Sequence, residues 1–68
     1  MTREKALDLL SHAGLTGADA STSLSHALVG FDSIDDMLLE AQTMDAPTLW
    51  KRFGQDGGRA VVILRAKS

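Results

Sequence analysis

Residues 57–68, GGRAVVILRAKS, decide whether the chain is all-helical or ends in a strand. Three β-branched residues stand in a row there, Val61, Val62 and Ile63, and local propensity favours a strand. With the preceding QDGG as a turn, the segment would form the second half of a hairpin or wing. Val62, Ile63 and Ala66 also fall on one face of a helix. The pattern alone leaves both structures open.

The segments before this stretch are typical of short amphipathic helices. Apolar residues recur at helical spacing within residues 6–13, 20–28 and 34–41. Gly14 and Gly30 close the first two segments, where a glycine can adopt the left-handed conformation that ends a helix. The sequence therefore predicts three helices within residues 6–41.

Polar residues mark where these helices begin. Thr16 and Ser33 are each followed by an aspartate at the capping-box spacing, and Asp45 precedes a further apolar group at residues 49–53. Each of the three side chains can accept a hydrogen bond from a free amide of the first helical turn. We expect all three to be N-caps, with Gly54 ending the fourth helix.

Composition indicates one small globular domain, residues 1–68, near the lower size limit for a chain that folds alone. With 44% hydrophobic and 24% charged residues, the chain is neither disordered nor fibrous. There is no cysteine, which excludes disulfides and thiolate metal sites and fits a cytoplasmic protein. No apolar run approaches the roughly 20 residues of a membrane span, so no membrane partner is expected.

Charge is distributed unevenly along the chain. Residues 1–50 carry eight acids and two bases, a net charge of −6, whereas residues 51–68 carry five bases and one acid, a net charge of +4. A basic end could bind nucleic acid, and a basic end next to an acidic middle could instead bind another copy of the chain.

Three quoted segments together resemble a sterile alpha motif (SAM) domain: ALDLLSHAGL, SLSHALVGFDSIDDMLLEAQTMDAPTLWKRFG and GGRAVVILRA. The resemblance covers about residues 5–67 and depends on an ordered set of short motifs. That set is Gly14-Leu15, Gly30-Phe31-Asp32, Asp35-Asp36-Met37-Leu38-Leu39, Gly54, Gly58-Arg59 and Ile63-Leu64. It implies an all-α, compact five-helix bundle in which residues 57–67 are helical.

The resemblance also implies a function in protein–protein association. Sterile alpha motif domains often join an acidic mid-loop surface of one copy to a basic end-helix surface of the next, as homo- or hetero-oligomers in signalling and scaffold proteins. The acidic mid-loop surface here would comprise Asp32, Asp35, Asp36, Glu40 and Asp45. The basic end-helix surface would comprise Lys51, Gly58, Arg59, Val62 and Arg65. The expected partner is the chain itself or another sterile alpha motif domain.

Nucleic-acid binding is an alternative. Some sterile alpha motif domains bind RNA through a basic patch near the last helix, and the five bases of residues 51–68 permit this. Neutralisation of phosphates dominates such binding, and the net charge of −2 opposes it. A winged-helix DNA reader would have to use SIDDMLLEAQ, residues 33–42, as its recognition helix, and that helix has no base.

Ser33 offers a third interpretation. GFDS, residues 30–33, followed by an apolar residue resembles the phosphopantetheine attachment site of acyl carrier proteins. Carrier domains are typically acidic throughout, whereas this chain ends basic. We therefore prefer Ser33 as an N-cap and keep a carrier modified at Ser33 as the alternative.

Catalytic and metal chemistry has little support in the sequence. His12 and His26 are fourteen residues apart with no third nitrogen or sulfur ligand nearby. Ser33, Asp32 and His26 are triad residue types, but no nucleophile elbow surrounds Ser33. The glycines of GQDGG lack the Lys-Ser/Thr pair of a phosphate loop. We expect no enzyme activity, no cofactor and no small-molecule substrate.

Overall fold

The computed structural model describes residues 1–67, and these form four helices without a strand. The helices are α1 (Arg3–His12), α2 (Gly17–Ala27), α3 (Ile34–Ala41) and α4 (Ala46–Lys67). The radius of gyration is 10.5 Å, close to the value of about 11 Å expected for a folded chain of this length. The prediction of a compact all-helical fold is confirmed.

The stretch that local propensity assigns to a strand is helical up to Lys67. Ala60, Val61 and Leu64 are completely buried there, at the spacing of one helix face. A strand would place Val61 and Leu64 on opposite faces of a sheet. Burying a Val or Leu side chain is worth about 1.5–3 kcal/mol, whereas the whole β-propensity scale spans about 1 kcal/mol. Packing against the other helices therefore determines the conformation.

The prediction of five separate helices is wrong, because the expected fourth and fifth helices are two parts of one element, α4, that meet at a kink. The kink is at Gly54, where the fourth helix was predicted to end. One residue within α4 is non-helical, Gly54, with φ 75° and ψ 178°. A glycine adopts positive φ without the steric cost of a Cβ. The chain thus changes direction at one residue, and no loop separates the two parts of the helix.

All three predicted residues lie at N-cap positions, and two of them make the expected capping hydrogen bond. The Ser33 hydroxyl accepts a hydrogen bond from the Asp36 backbone N–H at 3.1 Å, and Asp45 Oδ1 accepts one from the Thr48 N–H at 2.9 Å. Thr16 occupies the N-cap position of α2, but its side chain makes no capping hydrogen bond. The predicted N-cap position of Thr16 is therefore confirmed, but the predicted capping hydrogen bond is absent.

The core is formed by side chains from all four helices. The largest fully buried ones are Leu10, Leu24, Met37, Leu49, Val61 and Leu64. α4 approaches α2 closely at Gly57, where an added Cβ would lie 3.2 Å from the Ala27 backbone nitrogen. Gly57 therefore lets the second part of α4 lie directly against the end of α2.

The carboxyl end of α3 is fixed to α4 by Arg65. Its Nη1 donates to the carbonyl oxygens of Ala41 at 3.1 Å and Met44 at 2.8 Å. These carbonyls belong to the end of α3 and the turn after it; the Ala41 oxygen also accepts from the Met44 N–H at 3.1 Å, and Arg65 adds a donor to both at a helix end that has too few of its own. Arg65 thus sets the position of α3, which carries most of the predicted acidic mid-loop surface, relative to α4.

Across residues 1–67, no helix combines the length and the apolar character that crossing a bilayer requires.

Candidate interaction site

The five acids of the acidic mid-loop surface are all exposed, on α3 and on the turns at its two ends. They differ in whether another group of the chain already binds them. Asp35 Oδ1 lies 2.6 Å from the Met1 ammonium, and Glu40 Oε2 lies 3.7 Å from Arg52 Nε. Asp45 caps α4. The remaining two acids, Asp32 and Asp36, make no side-chain ion pair or hydrogen bond within the described part of the chain.

The capping role of Asp45 changes its acidity. Hydrogen bonds from the Thr48 side chain and backbone N–H hold the pKa of the Asp45 carboxyl below its ordinary value. Such bonds stabilise the charged carboxylate over the neutral acid. Asp45 therefore remains ionised while it supports the start of α4.

An exposed leucine lies among these acids. Leu39 is 70% exposed, although it follows the buried Met37 and Leu38. On a helix it is a neighbour of Asp35 and Asp36, which precede it by four and three residues. The acidic mid-loop surface thus contains a large apolar side chain surrounded by carboxylates.

Sequence reasoning did not assign Leu39 to the site, because only acidic residues were assigned to the mid-loop surface. A signal for it was available. Three consecutive apolar residues span more of the helix circumference than one packed face covers. One of the three therefore had to face solvent.

Arg52 connects this surface to α4. Its guanidinium carbon lies 4.8 Å from the centre of the Phe31 ring and 5.3 Å from that of Phe53. The two rings are stacked with their centroids 5.9 Å apart. Cation–π contact and the ion pair with Glu40 hold the turn before α3 against the first part of α4. Arg52, which the sequence analysis left out of both surfaces, has a structural role.

The residues of the basic end-helix surface all lie on α4, but only three of them are available to a partner. Lys51 and Arg59 are exposed and make no ion pair within residues 1–67, and Val62 is 39% exposed. Arg65 donates to the end of α3. Gly58 is buried.

Gly58 is buried beneath Trp50, which sequence reasoning did not place in the site. A Cβ added at Gly58 would lie 2.4 Å from Trp50 Cε3 and Cζ3, so the indole ring packs directly on the glycine. Trp50 nevertheless remains 41% exposed. Val62 follows Gly58 by four residues and therefore lies one turn away on the same face. Trp50 and Val62 give the basic end-helix surface an exposed apolar part.

A signal for Trp50 was present in the sequence. Leu49 and Phe53, four residues apart, share one helix face, and both are buried. Trp50 lies about 100° around the helix from Leu49, off that face. Beside Trp50 the surface has an open hollow of about 380 Å³ lined by Trp50 and Gln55.

The two histidines lie in separate surface pairs. His12 Nδ1 is 2.8 Å from the Asp8 carbonyl oxygen, and His26 Nδ1 is 3.9 Å from Asp56 Oδ2. Within residues 1–67, no three His, Cys, Asp or Glu side chains come together in a group that could hold a metal ion.

Comparisons of the chain with family models, with curated proteins and with solved structures give no match.

Proposed function

We propose that the chain is a protein–protein interaction module of the sterile alpha motif type that associates head to tail. Its acidic mid-loop surface binds the basic end-helix surface of a second copy or of another such domain. The module belongs to a cytoplasmic signalling or scaffold protein. The ordered motifs support this assignment, as does the helical course of residues 57–67.

The observation that carries the proposal is the pair of unlike exposed surfaces. Among residues 1–67, Asp32 and Asp36 are exposed acids without an ion pair, and the exposed Leu39 neighbours Asp36 on α3. In the same part of the chain, Lys51 and Arg59 are exposed bases without an ion pair on α4, which also carries the exposed Trp50. Each surface combines apolar area with charge, and the signs are opposite. Contact between unlike surfaces is heterologous, so repeated association gives an open chain unless the rotation between copies closes a ring.

Charge complementarity is strong enough to test by reversal. A pair of unit charges about 4 Å apart is worth about 1 kcal/mol in water and about 4 kcal/mol near a protein surface. Reversing one partner removes this attraction and adds repulsion. A weak contact between small domains is lost under such a change.

The experiment uses two reversal variants. Arg59→Glu disables the basic end-helix surface, and Asp32→Lys with Asp36→Lys disables the acidic mid-loop surface. We expect light scattering to show concentration-dependent growth for the native chain and monomers for each variant. Mixed together, the variants form a one-to-one dimer, because each retains one intact surface, and titration calorimetry measures its affinity.

Matched controls reverse charges elsewhere on the molecule. Lys5→Glu on α1 and Asp19→Lys on α2 change exposed residues that are outside both surfaces. These controls should associate like the native chain. A native chain that stays monomeric, together with no heat on mixing the variants, would rule out head-to-tail self-association.

RNA is the alternative ligand of the basic end-helix surface. Of the five bases in residues 51–67, Arg52 and Arg65 are engaged with α3 and its flanking turns. The reduced number of available bases lowers the expected phosphate affinity. Binding of a labelled RNA hairpin at about 0.15 M salt, lost in Arg59→Glu, would favour this alternative.

A further inference from the structure

We propose that Leu39 of one copy packs into the hollow beside Trp50 of the next copy and that this apolar contact supplies most of the affinity. The inference rests on the proposed function and names the residues that determine it. The charged residues then lie around the contact and set its orientation. Neither Leu39 nor Trp50 was among the residues that the sequence assigned to the two surfaces.

The Trp50 ring is fixed in a position that suits such a contact. One side of its ring packs on Gly58, where no Cβ intervenes, and the ring remains 41% exposed. A tryptophan fixed in this way loses little conformational freedom on binding. Tryptophans in partly formed pockets are the side chains most enriched among residues that dominate binding energy.

The surroundings of the hollow select its occupant. Lys51 follows Trp50 and Arg59 follows Gly58 in the chain, so α4 carries two exposed bases close in sequence to the ring and to the glycine beneath it. The occupant should therefore be an apolar side chain flanked by acids. Leu39 is 70% exposed, and Asp35 and Asp36 adjoin it on α3. Charge complementarity thus identifies a second copy of this chain as the partner.

Val29 provides a comparison for Leu39. It is exposed to a similar degree, 68%, but lies in the turn after α2 and outside the acidic mid-loop surface. Exposed single apolar residues are common on protein surfaces. If exposure alone mattered, substituting Leu39 or Val29 would lower the binding affinity equally. The proposed contact predicts that only the substitution of Leu39 lowers it.

The test uses Trp50 as a reporter, since the chain contains one tryptophan. The acceptor is the chain with Asp32→Lys and Asp36→Lys, which keeps Trp50. The donor carries Arg59→Glu to disable its own basic end-helix surface and Trp50→Phe to remove its fluorescence. We expect titration of donor into acceptor to shift the Trp50 emission to shorter wavelength as the ring leaves water.

Two further donors separate the alternatives. Adding Leu39→Asn to the donor should weaken binding by about 30-fold, the loss typical of a dominant interface residue. Adding Val29→Asn should leave the affinity within about twofold. Circular dichroism of each donor checks that the helices are retained.

The outcomes of this test are distinct from those of the charge-reversal experiment. If calorimetry detects binding but Leu39→Asn binds like its parent, or if Trp50 emission stays constant on binding, the Leu39–Trp50 contact is wrong and head-to-tail association stands. If none of the donors binds the acceptor, the proposed function fails, and the contact fails with it.

Discussion

Ser33 contributes one hydrogen bond that a methyl group cannot replace. Its hydroxyl accepts from the Asp36 N–H, so Ser33→Ala should lower the free energy of unfolding by about 0.5–2 kcal/mol. Thr16→Ala is the matched control, because Thr16 has the same position on α2 without a capping hydrogen bond. Urea denaturation should show the larger loss for Ser33→Ala. Equal losses would contradict the capping role. Attachment of phosphopantetheine to Ser33, detected as a mass increment, would support the carrier interpretation.

Gly57 and Gly58 should respond differently to the same added methyl group. At Gly57 the Cβ meets the Ala27 backbone at 3.2 Å, which can yield little, and overpacking of this kind costs about 1–3 kcal/mol. At Gly58 the three atoms nearest the Cβ all belong to the Trp50 ring, which can rotate into solvent, and the gain in helix propensity of about 1 kcal/mol offsets the lost contact. We expect Gly57→Ala to destabilise the chain. Gly58→Ala should leave its stability nearly unchanged but shift Trp50 emission to longer wavelength.

Among the elements, the position of α3 depends on Arg65. Replacing Arg65 by Met leaves the Ala41 and Met44 carbonyl oxygens without that donor, which should cost about 1–3 kcal/mol of stability. Lys67→Met removes a nearby exposed charge and should change stability by less than about 0.5 kcal/mol. Thermal unfolding of both variants measures the difference. A loss of association in Arg65→Met without a loss of stability would instead make Arg65 a partner-binding residue.

The start of α4 should become less stable at low pH. Because the pKa of Asp45 is lowered in the folded chain, its ionised form stabilises the fold. This contribution is complete above the ordinary aspartate pKa, about 4, and is lost as pH falls through the lowered value. Asp45→Asn keeps an oxygen acceptor but cannot ionise, so its stability should fall less steeply than that of the native chain below about pH 4. Parallel acid-unfolding curves for the two proteins would contradict this role.

Helices and their caps could be predicted where neighbouring residues in the sequence determine the conformation. They could not be predicted where packing against other helices determines it. Ser33 and Asp45 make the capping hydrogen bonds that a short polar side chain before a helical segment predicts, whereas Thr16 has the same position without the bond. The last helix required the resemblance, since Val61 to Ile63 alone favour a strand. The break at Gly54 was predicted as the end of the fourth helix, but local sequence does not report that the next helical part follows it directly, since this depends on how both parts of α4 pack. For the site, charge could be counted from the sequence, whereas the exposure of Leu39 and Trp50 depends on which side of each helix is covered.

For the whole molecule, salt should separate association from folding. Apart from the half-buried Arg65, the charges of both surfaces are exposed, and raising ionic strength from about 0.1 M to 1 M shortens the screening length from about 10 Å to 3 Å. The core is apolar and contains no buried charged residue within the described part of the chain. We expect light scattering to show weaker association at high sodium chloride, while the thermal midpoint of a monomeric variant changes little. Association that strengthens with salt would indicate an apolar contact without charge complementarity.

The glycine pair of α4 has a consequence for how the sequence can diverge. Gly57 lies against the backbone of another helix, and substitution of side chains elsewhere does not make room there. We therefore expect only the smallest residues at position 57 in homologues. Gly58 is crowded most closely by the Trp50 side chain, and that crowding disappears if Trp50 is replaced by a small residue. Positions 50 and 58 should therefore covary. Glycine should occur at position 58 when position 50 is aromatic, and larger residues should occur at position 58 when it is not. Homologues in which residue 50 no longer makes this contact should have a substituted position 58 beside an unchanged Gly57.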